Sequence, residues 1–227
     1  MSISNQEFKE ILLYPIKDKD WFSKVCLQVA VMLLLCFVLV GFPFLIGYMV
    51  RCTQQGMAND VTIPGWDEWG LYWKLGWKAI GVSLIFSLPL FIMEALFFIG
   101  FIIIFVLYEA YNVDEAWFIL VVVLGAAMYV CLLCYSIVLA FFQPAYLAAI
   151  AAGRTLGESV SLKRLWPYVK ANWLTILVAM AITYLTGLIA SSGLLVFFIG
   201  IFLTYGYAIA AGGYTYGVIY RNSTVKF

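Results

Sequence analysis

WKAIGVSLIFSLPLFIMEALFFIGFIIIFVL, running from Trp77 to Leu107, has a single charged residue deep inside it, Glu94, with Lys78 at its start. About 20 consecutive apolar residues, rising about 1.5 Å each, cross the hydrocarbon of a bilayer, and this run is longer than that. Outward from it, four further apolar runs follow, at 22–50, 117–142, 173–190 and 194–220. The run 173–190 only reaches the lower limit. Hydrophobic residues make up 65% of the chain and charged residues 11%, against about 25% charged in soluble domains. The expectation is an all-α, polytopic transmembrane helix bundle with five to six membrane segments and interfacial amphipathic helices. The length leaves room for one integral membrane domain over residues 1–227 and no separate soluble catalytic one.

The composition excludes several classes. A net charge of +1 supplies no polybasic surface for nucleic acid. Histidine is absent, so a nucleophile with an imidazole base is excluded, and Cys131-Leu-Leu-Cys134 lacks the further ligands that a zinc site needs. Gly153-Arg154-Thr155-Leu156-Gly157 has no Lys-Ser/Thr ending and reads as a turn, not a phosphate loop. No enzyme, cofactor or metal site is expected. Residues 1–20 mix lysines with acids and lack a signal-peptide core, so the first apolar helix is expected to act as the insertion signal.

All eight tryptophans stand at or before the start of an apolar run: Trp21; Trp66, Trp69, Trp73 and Trp77; Trp117; Trp166 and Trp173. An indole settles at headgroup level, so these are candidate interfacial anchors. Trp66, Trp69, Trp73 and Trp77 fall at helical three- and four-residue spacing beside Lys74 and Lys78, as in a helix lying along the membrane surface. Topology follows the basic residues. The stretch 108–116 carries Glu109, Asp114 and Glu115 and no base, which places it outside. The stretch 143–172 carries Arg154, Lys163, Arg164 and Lys170, which places it and the C-terminus on the cytoplasmic side of the membrane. The run 22–50 has bases at both ends and is interrupted by Gly41-Phe42-Pro43, so it reads either as a re-entrant pair or as one plain crossing.

Four ordered stretches carry a resemblance: Leu13-Tyr14-Pro15-Ile16-Lys17-Asp18-Lys19-Asp20-Trp21; Gly47-Tyr48-Met49-Val50-Arg51; Ile63-Pro64-Gly65-Trp66-Asp67-Glu68-Trp69-Gly70 with Gly76-Trp77-Lys78-Ala79; and Pro144-Ala145 ahead of Arg154-Thr-Leu-Gly157. Together they resemble a prokaryotic membrane family classed as domain of unknown function 4013. The resemblance implies a compact bundle of five or six helices and brings no activity, substrate or site residues.

Two features remain as functional candidates. Glu94 follows Pro89 by five residues in a stretch where a charge costs about 2.5–3.5 kcal/mol to insert, which makes it a possible ion or proton site. Gly200, Gly206, Gly212, Gly213 and Gly217 line the last run, where small residues let helices approach, either within the chain or against a partner. The expected function is a non-catalytic integral membrane protein, an accessory or scaffold subunit packed against a larger membrane complex. Its expected partners are membrane lipids and other membrane subunits or further copies of itself. The alternative is a transporter or channel for a small solute, ion or lipid that uses Glu94.

Overall fold

The computed structural model describes residues 5–35, 41–111, 115–192 and 197–227, and among these the chain is helical with no strand. The helices are α1 (Asn5–Lys17), α2 (Trp21–Leu35), α3 (Gly41–Ala58), α4 (Trp69–Tyr111), α5 (Glu115–Ala151), α6 (Leu156–Ser159), α7 (Leu162–Ser192) and α8 (Phe197–Asn222). Three of them are long and apolar enough to cross a membrane: α4 over Trp69–Val106, α5 over Val121–Ala151 and α7 over Leu162–Leu188. The runs 22–50 and 194–220 are not among these, and each includes residues outside the described set. Five to six spans are therefore not reached among the described residues.

The chain forms two compact units, Met1–Ser83 with Phe141–Phe227 and Leu84–Ala140. The chain leaves the first within α4 and returns within α5. The second unit is an antiparallel helix pair. Tyr135 Oη donates to Phe86 O at 2.7 Å, and a Cβ added at Gly125 would lie 3.5 Å from the Phe97 ring. None of the most apolar stretch of either helix is buried within the protein. A helix that is apolar all round needs lipid or other protein around it.

In the first unit α2 and α3 pack against each other. Lys24, at the start of α2, donates to Ile63 O at 2.9 Å, and Ile63 lies just past the end of α3. The start of α2 and the residues just past α3 therefore share one level. Gly41-Phe42-Pro43 stands at the start of α3, and residues 36–40 before it lie outside the described set. In a first turn the amide that proline lacks would have no helical acceptor anyway. The described residues of α2 and α3 number 15 and 18, or about 22 and 27 Å at 1.5 Å per residue.

Turn chemistry fixes the ends. Asn59, at φ 59°, closes α3, with Asp60 N donating to Gln55 O at 2.9 Å. Gly153, at φ 80°, closes α5, with Arg154 N donating to Ala149 O at 3.1 Å. Both are left-handed caps that satisfy otherwise orphaned carbonyls. Thr155 then caps α6 reciprocally with Glu158.

Candidate functional site

The four motifs of the sequence meet at one end of the first unit. From the first motif, Asp18 Oδ2 accepts from Lys24 Nζ at 2.7 Å and from Ile63 N at 2.9 Å, while Oδ1 accepts from Asp20 N at 2.8 Å. Burial pushes the Asp18 carboxyl up, but the Lys24 ammonium and the amides of Asp20 and Ile63 outweigh it and hold the group below the ordinary aspartate range. Tyr14 Oη donates to Gln55 Oε1 and also lies 3.2 Å from Thr62 O, and its ring stacks on Tyr214 of α8 with centroids 4.1 Å apart. Burial raises the Tyr14 phenol well above its usual range, so it stays a neutral donor.

The second and third motifs interlock by removing side chains. A Cβ at Gly47 would collide with the backbone of Tyr72, and one at Gly76 with the backbone of Pro43, so α3 and the start of α4 touch backbone to backbone. Tyr48 then stacks flat on Trp66 with centroids 4.9 Å apart, and Tyr72 donates to Gly65 O. Trp66 is 5% exposed. It precedes α4, which begins at Trp69, so it neither shares that helical face nor reaches a surface as an anchor. Trp69, Trp73 and Trp77 are exposed on α4, which continues through them without a turn, so no separate surface helix forms there. Trp21, Trp117, Trp166 and Trp173 are exposed as well.

The small-residue seam of α8 is filled by its own chain. A Cβ at Gly213 would come within 2.5 Å of Met49 O, and one at Gly217 would strike Thr53 O and lie 2.7 Å from Gly56 Cα. Gly206 faces the amide of the buried Gln28 at 3.1 Å, and Gly212 faces Met49 Cε at 3.7 Å. Gly200 lies in α8, but its surroundings fall outside the described residues. Cys52 is sealed in the same contact, and burial pushes its thiol up to about 12. The glycines at 47, 56 and 76 do the same work and were missed in the sequence, although 47 and 76 lie inside quoted motifs.

Beside this joint, Arg51, Gln54, Gln55 and Asp60 border an open polar groove of about 570 Å³. Arg51 pairs with Glu68 at 3.2 Å and donates to Gln54 Oε1 at 2.9 Å, while Gln54 donates to Ala151 O at 3.0 Å. The groove holds polar amides but no nucleophile with a base. Among the described residues no group of His, Cys, Asp and Glu could hold a metal. Elsewhere, Arg164 pairs with Glu158, whose carboxyl is lowered to about 2 by the Thr155 amide and hydroxyl and by Arg164.

Glu94 lies in the second unit, exposed, with no ion pair or hydrogen bond among the described residues.

The model of the family described as protein of unknown function (DUF4013) matches residues 30–205. The chain belongs to that family. The match takes in the interlocking glycines of α3 and α4 and the helix pair of the second unit, while the Tyr14–Asp18 clamp precedes it. No curated protein and no solved structure matches.

Proposed function

We propose that this DUF4013 protein is a non-catalytic integral membrane protein, an accessory or scaffold subunit of a larger membrane complex. One observation carries the reading: in the helix pair of the second unit, none of the most apolar stretch of either helix is buried among the described residues. The glycines of the α8 seam at 206, 212, 213 and 217 already face helices of their own chain. The intact protein, extracted in mild detergent, should run with other membrane proteins on a native gel and in native mass spectrometry. A monomer that co-migrates with nothing would overturn the reading.

A transporter or channel is the second reading, and the exposed, unpaired Glu94 favours it. Proton- or cation-dependent flux in liposomes that is lost in Glu94→Gln and kept in Glu109→Gln would decide for it.

The proposed setting is the cytoplasmic membrane with the C-terminus inside. Supporting it, Asn172 donates to Ser223 at 2.8 Å and Arg154 donates to Phe227 O, so the basic stretch 143–172 and the C-terminal residues share a level. Arg221 pairs with Glu7 at 3.1 Å, which brings the N-terminal helix to that level too. An impermeant thiol reagent on intact cells should label a single cysteine at Asn112 and spare one at Ser159. Equal labelling would refute this orientation.

A further inference from the structure

We infer that the face of α4 formed by Phe91, Glu94, Phe98, Phe101 and Phe105 is a docking seam for a membrane helix of another protein that carries one lysine or arginine at mid-depth. The inference rests on the accessory-subunit reading and names its interface. These five positions are spaced three, four, three and four apart, the spacing that keeps one narrow stripe facing a partner helix. All five are exposed, with Phe98 at 67% and Phe105 at 57%. At about 100° per residue, the opposite side of the same helix carries Ile85, Ile92, Leu96, Ile99 and Ile103. One side is therefore aliphatic like the lipid tails, and the other is aromatic with an acid at its centre. The stripe lies beside the contact with α5, which uses Phe86 and Phe97.

Charge complementarity selects the occupant. Glu94 lies 17 residues beyond Trp77 and 15 before Glu109, or about 25 Å and 22 Å along the helix at 1.5 Å per residue, so it is central in the apolar stretch. Residues 84–140 contain no lysine, arginine or histidine, and the same stretch of a second copy would bring only another Glu94. The compensating cation must come from a different chain. Phenylalanine rings around an ion pair exclude water and supply close packing, which holds helices together where lipid removes the hydrophobic drive.

The test uses the full-length protein, donor-labelled and reconstituted in neutral phosphatidylcholine vesicles. The probes are acceptor-labelled Leu/Ala transmembrane peptides with either one central lysine or leucine in its place. Energy transfer should show the lysine peptide associating about tenfold more tightly than the leucine peptide, the size expected of one good interhelical polar contact. Glu94→Gln should remove that preference and Phe98→Ala should weaken association several-fold. Ile103→Ala on the opposite side should change nothing. Equal association of the two peptides, or equal damage from Phe98→Ala and Ile103→Ala, would overturn the seam. Transfer between copies that needs no peptide and disappears in Glu94→Gln would overturn it in favour of self-pairing. Native mass spectrometry showing partners while the peptides fail to discriminate would leave the scaffold reading standing and remove only this interface.

Discussion

The two units of this protein are both helical and both apolar, yet they use glycine in opposite ways. In Met1–Ser83 with Phe141–Phe227, the glycines at 47, 56, 76, 213 and 217 each sit where a Cβ would meet the backbone of another helix. In Leu84–Ala140, a Cβ at Gly100 would meet nothing within 4 Å, and one at Gly125 would meet only the Phe97 ring at 3.5 Å. The first unit uses these glycines to close its own helix contacts. The second offers its surfaces outward. A membrane protein that binds others needs both: a body whose geometry is fixed by backbone contact, and an element whose faces remain available.

The largest expected effect tests that contrast directly. Gly76→Ala and Gly217→Ala force a Cβ into backbone atoms that cannot move aside as a side chain can, and should lower stability by about 3 kcal/mol, the upper end for overpacking. Gly100→Ala adds a Cβ in open space within a helix and should raise stability by about 0.5–1 kcal/mol, through lost backbone freedom in the unfolded chain. Thermal midpoints of the three variants in one detergent measure this. Similar shifts in all three would abolish the distinction between the units.

Asp18→Asn comes next, at about 1–3 kcal/mol, since it weakens a mostly buried acceptor of Lys24 and of the Ile63 amide. Its acid dependence follows from the lowered carboxyl. A folded-state value below the unfolded one stabilises fully above the unfolded value, and that contribution is lost as pH falls through the folded value. Stability of the wild type should therefore decline as pH drops below about 4, and Asp18→Asn should flatten the upper part of that decline. Glu158 adds a second component, lost as pH falls towards about 2, and high salt should shrink it because the group is exposed. An unchanged acid limb in Asp18→Asn would show that the clamp at Ile63 does not hold the first unit together.

How far the sequence reached follows the same division. Hydropathy and length alone mark α4, α5 and α7, because a long apolar run has few other fates. The α8 seam was legible too, since five glycines in one run are conspicuous. Isolated glycines were not: Gly47 and Gly76 acquire their meaning only from the helix each touches. Trp66 misled because its spacing to Trp69 mimics a helix, whereas Ile63-Pro64-Gly65 is a loop that folds the indole under Tyr48. Gly41-Phe42-Pro43 carries the same signal whether a helix ends or begins there, and only the neighbouring residues decide. Glu94 was visible as an isolated charge, but the aromatic stripe around it becomes meaningful only once α5 is seen to cover a different side.

The smallest expected effect concerns a hydrogen bond between the helices of the second unit. Tyr135 Oη donates to Phe86 O at 2.7 Å. Pro89 lacks an amide hydrogen, which leaves Ile85 O, one residue earlier, without its helical donor. The phenol thus supports a turn of α4 already weakened by proline. Interhelical hydrogen bonds in membranes average about 0.6 kcal/mol, because the separated helices find other partners. Tyr135→Phe should accordingly cost well under 1 kcal/mol. Tyr14→Phe, in the first unit, strips a buried contact to Gln55 and Thr62 and should cost at least twice as much. Denaturant midpoints of both variants in matched micelles would measure the difference. If Tyr135→Phe proves the more damaging, the helix pair is held by its own polar contact, and its faces are not the loosely committed surfaces that a partner would need.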